Sequence, residues 1–460
     1  MLQRFADLVV RTAVRTFYRR VELVGHDKIP PQGPTLLVAN HFNSLVDPLV
    51  IQAALSRWVT FAATDQLFHG TLGFFMKQLG MIPIYRAMDR HDPQMNYRSF
   101  RRAYEVLGGG GVVALFPEGI THDEPHVQRL KSGAARIFFG AMEHFEGRLD
   151  IRVIPIGLVY EDKHRFQGRV AVVVGNPVDT AEWIEIAREE PQRAARLMTN
   201  HLQGILEDLS LSLETWEDQR LVNGAVKFYL GAREELGGEP THEVTPDEEM
   251  EIHQAFRAEF LQLRRKGSRD LDRLRRLLTG YQTTLGRLGI TDQHVRDDYP
   301  PQRVIRYLLR NTELVLLGWP LAAYGIANNI LGVALVRLTA NRIFRPRRDR
   351  ISTIKIFYGT IIFLVTSLLQ TGAVTWLCVA RGWPWWIGLI YLVSLPLSGW
   401  YATSFFHRRR RAIQGARAFA LLAGGKRRIR DRLRAQRARI IETLRSLMDR
   451  PLTSGATDEK

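Results

Sequence analysis

Thr35-Leu36-Leu37-Val38-Ala39-Asn40-His41-Phe42-Asn43-Ser44-Leu45-Val46-Asp47-Pro48 is the stretch on which the reading of this chain turns. Its first five residues read as a buried strand. Asn40 to Ser44 interrupt the run with turn formers, and Leu45 to Leu55 follows with a helical pattern. A strand that passes through a turn into a helix is the repeating unit of an α/β domain.

The same alternation extends on both sides between Val21 and Asn176. Further strands are predicted at Trp58 to Ala62, Ile82 to Tyr85, Val112 to Phe116, Arg152 to Leu158 and Val170 to Val174. Helices are predicted at Tyr97 to Leu107 and Ala134 to Glu143. The run Gly108 to Gly111 precedes a strand and lacks the Lys-Ser/Thr of a phosphate loop, so it reads as a turn.

Within the opening stretch, His41 and Asp47 are separated by five residues. Six steps along an ideal helix rotate by about 240°, so the two side chains meet only if His41 lies in the turn ahead of the helix. Asn43 or Ser44 is then placed to cap that helix. Imidazole is the side chain best matched to moving a proton near neutral pH, and a carboxylate beside it fixes one tautomer. Taken alone, such a pair is more often capping and surface polarity than chemistry.

Three further blocks follow in order: Gly80-Met81-Ile82-Pro83-Ile84-Tyr85-Arg86, then Phe116-Pro117-Glu118-Gly119-Ile120-Thr121, then Val153-Ile154-Pro155-Ile156-Gly157. With Asn40 to Asp47 they make the chain resemble the glycerolipid acyltransferase superfamily, the group of glycerol-3-phosphate and 1-acylglycerol-3-phosphate acyltransferases. The five-residue gap, with Leu130-Lys131-Ser132-Gly133-Ala134-Ala135-Arg136 further on, is similar to the branch of fungal glycerol-3-phosphate and dihydroxyacetone-phosphate acyltransferases and their bacterial relatives.

The resemblance implies roles for individual residues. His41 is the general base and Asp47 its partner. Arg86 binds the acceptor phosphate, while Glu118 and Gly119 shape the acceptor pocket. Pro155 lies on the acyl-donor side. Many lysophosphatidate acyltransferases carry an arginine just after the Glu-Gly pair. Thr121 stands in that region here, which leaves Arg129, Lys131 and Arg136 as replacements, and Lys131 is counted among the site residues.

It also implies acyl transfer to glycerol 3-phosphate, with lysophosphatidate and dihydroxyacetone phosphate as alternatives. The donor is a thioester of coenzyme A or acyl carrier protein, and neither a cofactor nor a metal is expected. The reading of another class is an inactive lipid-binding scaffold, and a hydrolase using the same pair with water is a rival enzyme.

The chain has 460 residues, 45 % of them apolar, and a formal charge of +17. Much of the basic excess lies at Asn341 to Arg350, His407 to Arg411 and Lys426 to Arg439. These segments flank long apolar runs, which favours an anionic lipid surface over nucleic acid. The single cysteine, Cys378, offers neither a disulfide framework nor a thiolate metal site.

Ile356 to Ala380 and Gly382 to Phe406 carry no charge, and each is about 25 residues long, enough to cross a bilayer. They read as a transmembrane hairpin with both basic flanks cytoplasmic. Leu314 to Val336 is broken by Gly318, Pro320, Gly325 and Gly332, and reads as a re-entrant or interfacial segment.

The expected organisation is therefore an α/β acyltransferase domain, a mixed sheet flanked by helices, with a helical insert and a C-terminal transmembrane hairpin. Its parts are an amphipathic N-terminal helix over 1–20, the acyltransferase domain over 21–180 and a helical arm over 181–305. A re-entrant or interfacial membrane segment covers 306–340, a basic loop and hairpin 341–406, and a basic amphipathic tail 407–460. The tail is expected on the membrane or against the helical arm. The catalytic domain is expected at the cytoplasmic face, of a bacterial inner membrane ahead of an endoplasmic reticulum.

Overall fold

The computed structural model describes residues 2–85, 93–163, 166–236, 244–296, 301–342, 351–422 and 427–448. Arg86 and most of the basic loop 341–350 lie outside the described residues. The chain divides into two compact units. One comprises Met1–Gln219, Thr245–Gln254 and Val336–Thr360, the other Arg220–Val244, Ala255–Leu335 and Ile361–Lys460.

In the first unit, α1 (Leu2–Phe17) runs directly into β1 (Tyr18–Val24). There follow β2 (Thr35–Ala39), α2 (Val46–Ala54), β3 (Val59–Thr64), α3 (Gly70–Gln78), β4 (Ile82–Ile84) and α4 (Pro93–Gly108). The unit continues with β5 (Val112–Leu115), α5 (Gly133–His144), β6 (Arg152–Tyr160), β7 (Gly168–Val174), α6 (Ala181–Glu189) and α7 (Pro191–Leu209).

Among the described residues the strands form one sheet in the order β1-β7-β6-β2-β5-β3-β4. The pairs from β6 to β4 are parallel, β6 and β7 pair antiparallel, and β1 pairs with β7 in parallel, so the sheet is mixed as expected. The centre of the sheet is buried on both faces, which explains the unbroken apolar run of β2. Leu36 and Val38 join Val113, Leu115 and Val153 against Ala134, Phe138 and Met198 of the helices on one side. Leu37 and Ala39 join Ala114, Ile154 and Ile156 against Val14, Phe17, Val50 and Ile51 on the other.

The apolar residues of α1 divide between two faces. Val14 and Phe17 enter the core, whereas Leu2, Phe5, Leu8 and Val9 are exposed. The helix thus packs on its own domain and still presents an apolar strip outward.

In the second unit, α10 (Arg269–Leu288), α11 (Asp292–Arg296) and α15 (Arg427–Met448) pack together. Of the two places foreseen for the basic tail, α15 takes the helical arm. Leu433, Ile440, Leu444 and Leu447 are its buried stripe. Arg437 is drawn in with them, donating to Asp292 Oδ1 at 3.1 Å and Glu235 Oε2 at 2.5 Å, with its guanidinium 5.5 Å from the Phe228 ring.

Among the described residues three helices contain membrane-length apolar segments, at Gly318–Thr339, Tyr358–Ala380 and Trp386–Ala418. They belong to α12 (Pro301–Arg342), α13 (Ile351–Ala380) and α14 (Trp386–Leu422). The break expected in 314–336 does not occur: α12 continues through Pro320 as one helix. Its glycines serve close packing instead, because a Cβ at Gly325 would lie 2.2 Å from the Ser398 carbonyl oxygen.

Contacts between α12 and α14 run in opposite senses. Gly318 faces Tyr401 and Phe405, Gly325 faces Ser398 and Ala402, and Asn329 donates to the Leu395 carbonyl at 3.4 Å. Asn328 accepts from the Tyr391 hydroxyl at 2.5 Å, and Gln370 of α13 donates to the Asn328 carbonyl at 3.0 Å. Paired polar groups of this kind are how such side chains are accommodated within apolar helices.

Candidate active site

The quoted stretch leaves the sheet at the C-terminal end of β2, beside the C-terminal ends of β5 and β6. Ligands of parallel sheets gather at this edge. The side chain of Asn40, fully buried, extends the β2–β6 ladder beyond the last strand residue. Its Nδ2 donates to the Leu158 carbonyl at 3.2 Å, and its Oδ1 accepts from the Leu158 amide at 2.6 Å. The chain then turns through Ser44, which has a φ of 47°, before α2 begins.

The turn places His41 ahead of the helix and folds Asp47 back onto it. Nδ1 of His41 lies 2.9 Å from Oδ2 of Asp47, whose side chain is completely buried. The same Oδ2 accepts from the Asn43 amide at 2.8 Å. Asn43 and Ser44 do not act as side-chain caps: α2 is preceded by Leu45 without one. The Asn43 side chain donates instead to the Tyr18 hydroxyl at 3.2 Å.

With the carboxylate accepting, Nδ1 carries the hydrogen and Nε2 keeps its lone pair. Among the described residues Nε2 makes no hydrogen bond to protein. The ring stacks on Phe116 at 4.2 Å between centroids and 16° between planes, so its orientation is fixed by an aromatic face as well as by the carboxylate.

Glu118 arrives from the C-terminal end of β5 and is only 2 % exposed. Both its oxygens are engaged by protein. Oε1 accepts from the His41 amide at 2.5 Å, while Oε2 meets His122 Nε2 at 2.6 Å and accepts from the Gln128 amide at 2.8 Å. Glu118 is thus in the site, but it braces the His41 turn and the loop after β5 rather than turning toward the open side.

Gly119 has a φ of +67° and sits under Lys131: a Cβ here would come within 2.8 Å of Lys131 Nζ. Glycine therefore serves both the left-handed turn and the close approach of a cation. Of the other candidate cations, Arg136 lies over the Phe100 ring at 5.1 Å, and Arg129 is exposed.

His41, Asp47, Glu118, Gly119 and Lys131 are accordingly gathered around two turns at one sheet edge. Pro155 is not among them. It pairs with Val38 inside the ladder, about 10 Å of strand before His41, and is buried where a Cβ on Gly175 would be 2.7 Å from its ring. Its position packs β6 against β7. Arg86 follows the last described residue of its segment, Tyr85, just after β4.

Two residues of the β6–β7 hairpin enter the site without having been foreseen. The Tyr160 hydroxyl donates to Asp47 Oδ1 at 2.5 Å. Burial, and then the Asp47 charge, push the Tyr160 phenol well above the usual range, so it stays a neutral donor. Lys163 Nζ donates to the Phe42 carbonyl at 2.9 Å and the His122 carbonyl at 3.2 Å, and pairs with Asp123 at 2.7 Å. It thereby ties the His41 turn to the loop after β5. Knowing that β6 neighbours β2 is the signal that would have found Tyr160, because it ends the strand beside the His41 turn.

Residues 20–159 match the family model described as Acyltransferase. The chain is 25 % identical to an uncharacterized acyltransferase of Schizosaccharomyces pombe over 42 % of this chain and 40 % of that protein. It is 22 % identical to glycerol-3-phosphate O-acyltransferase 1 of Saccharomyces cerevisiae over 28 % of this chain and 18 % of that protein. It is 27 % identical to a probable 1-acyl-sn-glycerol-3-phosphate acyltransferase of Mycoplasma genitalium over 29 % of this chain and 47 % of that protein. The chain thus spans less than half the length of each of these relatives. The match covers β2, β5 and nearly all of β6, the strands whose ends carry His41, Glu118 and Tyr160, so the likeness to the acyltransferase family falls on the part of the chain that builds this site.

Proposed function

We propose that the protein is a membrane-bound glycerolipid O-acyltransferase that moves a fatty acyl group from acyl-CoA, or acyl carrier protein, to glycerol 3-phosphate. The observation that carries this reading is the His41–Asp47 pair with Nε2 left open beside the Gly119–Lys131 turn. A base and a cation at one sheet edge suit an acceptor bearing both a hydroxyl and a phosphate. Lys131 is the cation assigned to that phosphate, with Arg86 as a second ligand.

His41 Nε2 accepts the hydroxyl proton as the acceptor oxygen attacks the thioester carbonyl. The C–O bond forms, the C–S bond breaks, and the imidazolium returns the proton to the leaving thiolate. The thioester supplies the activated acyl group, so this sequence of steps requires no cofactor. Asp47 keeps the proton on Nδ1 throughout.

The test is release of free thiol from acyl-CoA by purified membranes offered each acceptor in turn. Glycerol 3-phosphate is expected to stimulate release most, with dihydroxyacetone phosphate behind. The name of the Mycoplasma relative favours lysophosphatidate as the second reading. Release without any acceptor would instead indicate a hydrolase, and no release would leave the scaffold reading.

For the membrane region we infer two crossings, made by α13 and α14. Three consecutive crossings would set α12 and α14 parallel, whereas their contacts are antiparallel. Three would also place α15 opposite α10 and α11, on which it packs. No membrane-length apolar helix occurs among the described residues before α12. The catalytic domain and α15 then share the cytoplasmic face, where the positive-inside rule puts the basic flanks. In a Cys378→Ser background, Glu146→Cys and Arg432→Cys should react with an impermeant maleimide from the same side, and Arg381→Cys from the other. Labelling of positions 146 and 432 from opposite sides would overturn the arrangement.

A further inference from the structure

The Asp47 carboxylate holds more partners than a His–Asp pair needs. Oδ2 serves His41 Nδ1 and the Asn43 amide, while Oδ1 is given over to the Tyr160 hydroxyl at 2.5 Å. Tyr160 comes from β6, 113 residues further along the chain, and its ring lies 6.0 Å from that of Tyr18. Tyr18 in turn accepts from Asn43. The carboxylate is thus approached from the catalytic turn and from β6, with β1 behind.

We propose that Tyr160 is a positioning residue for the base, acting through Asp47 to form a His41–Asp47–Tyr160 relay. The proposal rests on the reading of His41 as general base and assigns a residue beyond it. A neutral phenol bound to Oδ1 does two things. It locks the carboxylate rotamer, so that Oδ2 stays aimed at Nδ1. It also draws negative charge toward Oδ1 and thereby moderates the basicity that Asp47 confers on the imidazole.

Among the described residues, the titratable and charged groups around Asp47 are His41 on the turn, Tyr160 on β6 and Tyr18 on β1. Lys163 is directed to the Phe42 and His122 carbonyls and to Asp123. Asp162 acts on Tyr18. Tyr160 is the one of these that donates to Oδ1. Its removal therefore leaves a buried carboxylate oxygen without its donor and Asp47 a stronger partner for imidazolium. The sign follows: the acid limb of the activity profile moves upward.

The experiment compares Tyr160→Phe with wild type in both the Asp47 and the Asp47→Asn backgrounds, using full-length protein in membranes with acyl-CoA and the best acceptor. In the Asp47 background kcat should fall roughly tenfold to a hundredfold, with acceptor KM little changed and the acid limb displaced upward. In the Asp47→Asn background the same substitution should have little further effect, since the group it acts through is gone. Equal losses in both backgrounds, with the limb unmoved, would mean packing alone and overturn the proposal. A Tyr160→Phe enzyme with wild-type kcat and limb would overturn it as well. Either result leaves the general-base reading intact if His41→Ala is inactive. Wild-type membranes without acyl transfer would defeat the general-base reading, and the relay with it.

Discussion

His41→Ala is expected to lower acyl transfer by about 10³-fold or more, near the upper range for loss of a positioned general base. The side chain is 17 % exposed and stacks on Phe116, so its truncation removes the base without opening the sheet. The Asn40 and Glu118 contacts to the turn use backbone and Asn40 atoms that the substitution leaves in place. The variant should therefore still enter membranes in normal amounts. The measurement is acceptor-dependent thiol release alongside membrane fractionation, and activity within tenfold of wild type would remove His41 from its assigned role.

Glu118→Gln tests a role that the structure changes. As a direct acceptor ligand, Glu118 would affect chiefly acceptor KM. As a brace with both oxygens on protein groups, it should affect kcat instead. A carboxamide accepts well at one atom only, and its NH2 would face the Gln128 amide, a donor against a donor. Unsatisfied buried donors cost about 1–3 kcal/mol each, so the turn should loosen and kcat fall roughly a hundredfold, with lower thermal stability. Lys131→Ala provides the contrast, raising acceptor KM while leaving kcat nearer wild type. If Glu118→Gln raised KM alone, the bracing assignment would be wrong.

What the sequence made legible follows from separation along the chain. β2 was located to the residue because a strand buried on both faces has no polar interruption. His41 and Asp47 were joined because only a turn lies between them. β1 was missed: it is an edge strand carrying Arg19, Arg20 and Glu22, and polarity there hides the pattern. α3 was missed because Gly70 and Gly73 weaken its helical signal.

Tyr160 and Lys163 stayed invisible for a different reason. Tyr160 reaches Asp47 and Lys163 reaches the His41 turn across more than a hundred residues, and the pairing of β6 with β2 brings them there. The inward orientation of Glu118 was equally hidden, since its motif names the residue but not the direction of its carboxylate. In the apolar run at 314–336 the glycines and the proline read as helix breakers, whereas α12 is continuous through Pro320 and Gly318, Gly325 and Gly332 lie where neighbouring helices pack closely.

The Asn40 clasp on Leu158 has a consequence for how turnover is controlled. By replacing a peptide group at the point where β2 ends, it extends the rigidity of the sheet into the turn that carries the base. An acid-base pair fixed in this way has little induced fit to contribute, because its geometry is complete before any ligand arrives. On the proposed function, selectivity and rate are then set by delivery: how the water-soluble acceptor reaches the open Nε2, and how the acylated product leaves for the bilayer. Slow exchange of that product, rather than assembly of the site, is the bottleneck this reading predicts.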